Sequence, residues 1–140
     1  MSLTKHKFRE IVFSILYAGL QEPGHEADLS ALLMSRRKVT AKNVREAQDY
    51  ANKIFEKLPI IDAGIDAAAK DFYDFGRISK VELAVLRLGA YELLYDDEVP
   101  EKVALSEAIQ LVLKFGTTGS EKFINAVLDN ILKVRHASQA

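Results

Sequence analysis

Apolar residues recur along this chain at helical spacing, and no stretch alternates apolar and polar residues as a strand would. The first apolar stripe consists of Phe8, Ile11, Val12, Ile15 and Leu16. A spacing of i, i+3, i+4, i+7 and i+8 is typical of one face of an amphipathic helix, predicted here over residues 4–20. Basic residues precede the run, as in a signal peptide, but Glu10 interrupts it and residues 17–19 form a poor cleavage site. The segment therefore predicts a helix of the fold and a cytoplasmic protein.

Six further helices are predicted from the same spacing and from the Pro and Gly residues between them. Their predicted ranges are 28–37, 40–58, 60–72, 79–95, 100–115 and 118–135. The residues of the fourth helix that are predicted to face inward are Ile61, Ile65, Ala68, Ala69 and Phe72. The fifth helix is apolar on nearly all sides and is expected to be the central one. The pattern as a whole predicts an all-α protein, and the length of 140 residues favours one domain over residues 1–140, or two small subdomains that share a core.

Two of these helices begin with the pattern of a capping box, in which a hydroxyl and a carboxylate each accept from a backbone N–H group. The patterns are Ser79–Glu82 before the fifth helix and Thr118–Glu121 before the seventh.

Composition narrows the possible functions. Hydrophobic residues make up 49% and charged residues 28% of the chain, a balance typical of a globular domain. The absence of Cys excludes disulfides, thiolate zinc sites, iron–sulfur clusters and cysteine nucleophiles. The net charge of −1 provides no overall attraction to nucleic acid. Lys5, His6, Lys7 and Arg9 nevertheless form a cationic N-terminus, so a small local basic site is predicted rather than a broad duplex-binding face.

The sequence offers little support for an enzyme or a metalloprotein. His6, His25 and His136 have no second ligand at metal-binding spacing, and no Gly-rich phosphate loop or nucleophile elbow is present. Asp62 and Asp66 share a helix face, but such carboxylates are far more often solvated surface charges than acid–base pairs. We therefore expect no catalytic residue, no metal and no cofactor.

Four polar residues lie in apolar surroundings in the last three predicted helices. They are Arg87, Glu92, Glu107 and Asn125. They could form a buried ligand-binding set or an inter-helix hydrogen-bond network. A buried charge needs partners in any protein, so the network is the favoured interpretation.

One group of residues suggests contacts with RNA. Phe115 ends the sixth predicted helix, and Lys122 and Phe123 lie in the first turn of the seventh. Free N–H groups at a helix N-terminus attract phosphate, a nearby Lys adds charge, and an exposed aromatic ring can stack on a base. The pattern alone favours the alternative, in which both rings are core residues and Lys122 is simply solvated.

Three stretches resemble the signatures of one protein family. Residues 85–93 read Val-Leu-Arg-Leu-Gly-Ala-Tyr-Glu-Leu, and residues 99–109 read Val-Pro-Glu-Lys-Val-Ala-Leu-Ser-Glu-Ala-Ile. Residues 114–116 read Lys-Phe-Gly, and residues 120–129 contain Ser-x-Lys-Phe-Ile-Asn-x-Val-Leu-Asp. They resemble the LR-x-x-x-YEL, VP-x-KVAINEAI and S-x-KFVNGVLD motifs of the NusB family of bacterial transcription antitermination factors. The N-terminus matches more loosely, and residues 21–75 match only as helices of similar length.

The resemblance implies an all-helical fold of two perpendicular three-helix bundles. It also implies binding of the single-stranded boxA RNA element together with NusE, a ribosomal small-subunit protein. The complex joins elongating RNA polymerase and suppresses termination, notably on ribosomal RNA operons. This role involves no catalysis and no cofactor, and it belongs to the bacterial cytoplasm.

The resemblance also assigns roles to positions of this chain. The positions that match the family's RNA-binding residues are Lys5, His6, Lys7, Arg9, Phe115, Ser120, Lys122 and Phe123. Tyr17 and Glu82 match the side expected to bind NusE, although Glu82 also has a predicted capping role. The N-terminus is rich in Lys where Arg is usual, which reduces bidentate phosphate contacts. Gly119 stands where an acidic residue is usual, and Ser106 where Asn is usual.

Two other functions remain open from the sequence. Helical domains similar to this family also occur fused to RNA cytosine methyltransferases, where they act as RNA-binding appendages. The chain ends within a dozen residues of the last motif, so we expect no catalytic domain to follow. Alternatively, the protein is a helical protein-binding adaptor without RNA affinity.

Overall fold

All regular secondary structure in the described part of the chain is helical. The computed structural model describes residues 4–20, 40–72 and 75–139, and these ranges contain six α-helices, one short 3-10 helix and no strand. The predicted all-α fold is confirmed. The predicted second helix, residues 28–37, lies outside the described residues. Within the described ranges, no helix is both long and apolar enough to cross a membrane.

The helix bounds follow the predicted ones closely. The helices are α1 (Lys5–Gly19), α2 (Ala41–Glu56), α3 (Leu58–Ala69), a 3-10 helix (Phe75–Arg77), α4 (Lys80–Tyr95), α5 (Glu101–Phe115) and α6 (Ser120–Gln139). Pro59 lies in the first turn of α3 and Pro100 directly precedes α5. The missing N–H group of proline removes no helical hydrogen bond at either position, so both helices begin there without penalty.

Side-chain caps fix the beginnings of three helices. Thr4 and Thr40 each accept, at 3.1 Å, from the backbone N–H group three residues further along the chain. At α4, Ser79 Oγ accepts from the Glu82 N–H group at 3.1 Å, and Glu82 Oε1 accepts from the Ser79 N–H group at 3.0 Å. The first predicted capping box is therefore confirmed.

The chain divides into two compact units, Met1–Glu56 and Lys57–Ala140. In the first unit, α1 packs against α2. Phe8 meets Tyr50 edge-on, with ring centroids 5.8 Å apart. At the other end of α1, a Cβ atom on Gly19 would lie 3.3 Å from the Phe55 ring. Aromatic side chains of both helices thus fix their contact.

In the second unit, α4 packs against α3, α5 and α6. Ten of its 16 residues are buried, as expected for the helix predicted to be central. Gly89 allows the other helices to come close: an added Cβ atom would lie 3.0 Å from Leu128 Cδ1 of α6 and 3.6 Å from Ala108 Cβ of α5. The lack of a side chain at this position therefore sets how tightly α4 and α6 pack.

A bidentate ion pair joins α4 to α3. Arg87 Nε donates to Asp62 Oδ1 at 2.9 Å, Arg87 Nη2 donates to Asp62 Oδ2 at 2.8 Å, and both side chains are partly buried. The prediction that Asp62 is a solvated surface charge is wrong, because its partner lies 25 residues away in the sequence and is brought to it only by folding. Of the four residues expected in a buried network, Asn125 is instead exposed on α6.

Phe72 departs from its predicted core position. The last residue of α3 is Ala69, and the Phe72 N–H group donates to the Ala69 carbonyl at 2.8 Å in a turn beyond the helix. Because the chain leaves the helical path before residue 72, Phe72 does not continue the buried face of Ile61 and Ile65. It is 49% exposed.

Candidate nucleic-acid interface

The cationic N-terminus forms the first turns of α1. Lys5 and Lys7 are exposed, and no acidic residue lies in the first turn of this helix. Cations at a helix N-terminus add to the positive end of the helix dipole, which costs a little folding stability and attracts anions. Arg9 differs from the two lysines, since it is only 7% exposed. The structure therefore presents two of these cations to solvent and buries the third.

His6 contacts a buried carboxylate of the same helix. Its Nε2 atom lies 3.1 Å from Glu10 Oε2, and Glu10 is 1% exposed. The imidazole is half-exposed beside Lys5 and Lys7. Glu10 thus fixes the His6 ring at the edge of the cationic turn.

The second group of predicted residues lies where α5 ends and α6 begins. Phe115 is half-buried at the end of α5, and the Lys114 ammonium lies 5.5 Å from its ring centroid. Gly116 follows, and a Cβ atom there would lie 2.7 Å from both the Val112 carbonyl oxygen and its side chain. Only glycine therefore fits at this position without a shift of Val112.

The link is completed by a hydrogen-bonded turn around Ser120. The side-chain oxygens of Thr117 and Ser120 lie 3.0 Å apart, and Ser120 is 7% exposed. Gly119 adopts a φ of 95°, a conformation that L side chains rarely adopt. Glu121 Oε2 accepts from the Gly119 N–H group at 3.1 Å, and the helix begins at Ser120. Ser120 therefore holds the turn from inside and offers little surface to a ligand.

Lys122 and Phe123 follow in the first turn of α6. Lys122 is exposed, and Phe123 is half-buried. The Phe123 ring meets Phe72 edge-on, with centroids 6.1 Å apart and planes at 87°. The interpretation of Phe123 as an ordinary core residue therefore accounts for only part of its ring. A cation beside a partly exposed aromatic ring at a helix start suits contact with a phosphate and a base.

The two positions predicted to bind a protein partner differ in what they present. Tyr17 is half-buried and its ring is stacked on Phe13, with centroids 6.1 Å apart. Glu82 is 9% exposed and one of its oxygens accepts the capping hydrogen bond of Ser79. Tyr17 thus offers an aromatic surface, whereas the Glu82 carboxylate primarily stabilises the start of α4.

Nothing in the described ranges favours a metal site or an acid–base centre. No group of three or more His, Asp or Glu residues there could hold a metal ion. His136 is exposed and pairs with Glu101 at 2.9 Å. A cavity of about 630 Å³ lies in the second unit beside α3 and α6, and its lining combines apolar and small residues with Asp71, Asn130, Lys133 and Arg135.

Two features of the interface have no clear signal in the sequence pattern. Phe72 is brought to Phe123 by a turn after α3, although the helical spacing predicts a core residue. Lys114 lies over the neighbouring Phe115 ring, a contact that depends on side-chain conformation. Phe72 is the last residue of the predicted fourth helix, and this terminal place is the hint of its exposure that the sequence offers.

Comparison with known proteins finds similar chains along nearly the whole length. A family model described as NusB family matches residues 6–133. A transcription antitermination protein NusB of Geobacter sulfurreducens is 36% identical over 124 residues, covering 88% of this chain and 89% of that protein. One of Levilactobacillus brevis is 33% identical and covers 100% of both chains. Among solved structures, T. maritima NusB has a TM-score of 0.75 and 32% identity, covering 95% of this chain and 93% of that one.

Proposed function

This chain is a member of the NusB family, and we propose that it is a transcription antitermination factor. In this role it binds single-stranded boxA RNA together with NusE, joins elongating RNA polymerase and suppresses termination, notably on ribosomal RNA operons. The observation that carries the proposal is full-length similarity to proteins named transcription antitermination protein NusB. The role needs binding surfaces and no catalysis, and it would be carried out in the bacterial cytoplasm.

In the second unit, we assign the RNA contacts to the junction of α5 and α6. Lys122 is exposed and can neutralise a phosphate, while Phe123 and Phe115 keep part of their rings accessible for stacking on bases. Ser120 is 7% exposed and bonded to Thr117, so its contribution is to hold the turn that carries Lys122.

In the first unit, we assign RNA contacts to the first turns of α1. Lys5 and Lys7 are exposed and serve as phosphate ligands, with half-exposed His6 beside them. Arg9 is 7% exposed and would reach RNA only at its edge. For NusE, the half-buried Tyr17 ring is the stronger candidate, because the Glu82 carboxylate already caps α4.

The proposed function is tested by titrating a fluorescent boxA-like RNA oligomer with this protein, with and without NusE. We expect NusE to strengthen binding of the RNA, because two modest basic surfaces on associated proteins can bind the same strand. Once one surface holds the strand, the effective concentration of RNA at the other surface is raised. A net charge of −1 makes a tight complex with RNA alone unexpected. The same oligomer with a scrambled sequence is the control. If the protein binds NusE but neither RNA in either condition, it is a protein-binding adaptor and the RNA-binding role is wrong.

The cationic contacts are tested by the dependence of RNA affinity on salt. Lys5, Lys7 and Lys122 are exposed, and neutralisation of three phosphates of a single strand gives a log–log slope of about −2. Lys122→Ala should weaken binding and flatten the slope by about 0.7. With one phosphate contact fewer, fewer counterions are released when the protein binds the RNA.

Lys133→Ala is the matched control, since Lys133 is an exposed cation on the same helix and pairs with Asp129 at 3.0 Å. It should leave the salt slope unchanged. Equal slopes for the wild type and Lys122→Ala would remove Lys122 from the RNA site.

A further inference from the structure

We propose that Phe72 is a second base-stacking residue, so that the RNA site of the second unit holds two neighbouring bases on two perpendicular aromatic rings. The proposal rests on the proposed RNA-binding function and extends it to a residue that neither the motifs nor the family resemblance assign.

The first observation is that Phe72 leaves much of its ring in water. It is 49% exposed, whereas Ile61 and Ile65, on the face it was predicted to continue, are fully buried. Scattered exposed apolar residues are normal in soluble proteins, so exposure alone does not indicate a ligand. What distinguishes Phe72 is its neighbour.

The second observation is the contact with Phe123. The two rings meet edge-to-face at 6.1 Å and 87°, the geometry that aromatic pairs prefer. The planes of the two rings are nearly perpendicular, Phe72 is 49% exposed and Phe123 is half-buried, so both rings are partly accessible to solvent. A single strand whose bases are splayed can stack one base on each ring, which is how sequence-specific sites recognise unstacked RNA.

The third observation is the charge around the pair. Lys122 is exposed and directly precedes Phe123, so a phosphate between the two bases has a cation nearby. Lys70 and Asp71, both exposed, precede Phe72 and offset each other. The backbone of Phe72 is held by its 2.8 Å hydrogen bond to the Ala69 carbonyl, which limits the entropy lost when a base binds. An aromatic surface with one adjacent cation fits a nucleotide better than an acidic or purely apolar partner.

The absence of Trp from this chain makes the test direct. Phe72→Trp introduces the only indole, and stacking of a base on it should quench its fluorescence when the boxA-like oligomer is added. Ile60→Trp is the matched control, because Ile60 is 58% exposed near the start of α3, whereas Phe72 lies beyond the end of that helix. We expect saturable quenching for Phe72→Trp and none for Ile60→Trp.

Affinity measurements complete the test. Phe72→Ala should lower RNA affinity by about fivefold or more, Phe72→Trp should keep it, and Ile60→Ala should not change it. In a series of oligomers that each lack one base, loss of the base at one position should weaken RNA binding by the wild type but not by Phe72→Ala. The neighbouring position should show the same relation to Phe123→Ala.

Three results would overturn the proposal. One is unquenched emission of Phe72→Trp at saturating RNA, and another is wild-type RNA affinity of Phe72→Ala while Phe123→Ala binds weakly. Both would leave the proposed function intact. The third is a loss of NusE affinity, without a loss of RNA affinity, in Phe72→Ala, which would make Phe72 a protein contact. Failure of the wild type to bind RNA at all would instead overturn the proposed RNA-binding function together with this extension of it.

Discussion

Leu128→Ala is expected to lower the free energy of unfolding by about 3–5 kcal/mol, the largest effect of any single change considered for this chain. Leu128 is fully buried in the second unit, where its Cδ1 and Cδ2 atoms lie 3.0 and 3.3 Å from the position of an added Cβ on Gly89. Removing the isobutyl group loses its transfer free energy and leaves a cavity beside a residue with no side chain to fill it. Urea denaturation followed by circular dichroism measures the change.

The neighbouring glycine provides an internal check of this packing. Gly89→Ala alone places a methyl group against Leu128 and should cost about 1–3 kcal/mol through overpacking, partly offset by the higher helix propensity of Ala. In the Leu128→Ala background the same change should stabilise, because the methyl group then enters the cavity. Leu113→Ala is the control, since Leu113 is 58% exposed on α5 and should change stability little. Additive effects of the two core changes would contradict the close packing of α4 on α6.

The helices were predictable because their signals are local. The capping hydroxyl and carboxylate of Ser79 and Glu82 lie three residues apart in the sequence and bond as the pattern predicts. The central place of α4 follows from its apolar residues on all sides, which no exposed helix could carry. In each case the structure is determined by contacts within one helix or by the hydrophobic pattern of that helix. Both can be read from a single sequence.

The exceptions depend on contacts between distant residues. Asp62 has the spacing of a surface residue, but folding brings Arg87 to it from 25 positions away. Phe72 continues the apolar spacing of α3, yet the helix ends at Ala69 and the chain turns. No Pro or Gly marks the end of the helix at this point in the sequence. Helical spacing alone therefore predicts a helix that is longer than the observed one.

In the candidate site, too, the positions of residues on the helices were predictable from the sequence, whereas their exposure was not. The positions of Lys122 and Phe123 at the start of a helix follow from the motif and the turn before it, and the structure has them there. Exposure could not be read from the sequence: Lys5 and Lys7 are exposed, whereas Arg9, only two residues further on, is 7% exposed. Ser120 is likewise buried in the turn, where its side chain is hydrogen-bonded to that of Thr117. Burial of a polar side chain is decided by tertiary packing, and this is why two of the eight assigned RNA-binding residues offer little surface.

Phe123→Ala is expected to weaken binding of the boxA-like oligomer by about 1–3 kcal/mol, through loss of one stacked base. The ring is half-buried against Phe72, so the fold should also lose about 2 kcal/mol, less than the 3–5 kcal/mol of a fully buried Phe. Fluorescence titration of the RNA and urea denaturation of the same preparation measure the two losses separately.

Phe123→Leu separates stacking from packing. Leu retains much of the apolar volume, so stability should change by less than about 1.5 kcal/mol, but it has no π-face on which a base can stack. We therefore expect Phe123→Leu to resemble the wild type in denaturation and Phe123→Ala in RNA binding. If Phe123→Leu binds RNA like the wild type and Phe123→Ala is merely unstable, the ring belongs to the core and the RNA contacts lie elsewhere. If the expected split is found, RNA binding rather than folding requires the aromatic ring at the start of α6, because the fold accepts Leu at that position and the RNA does not.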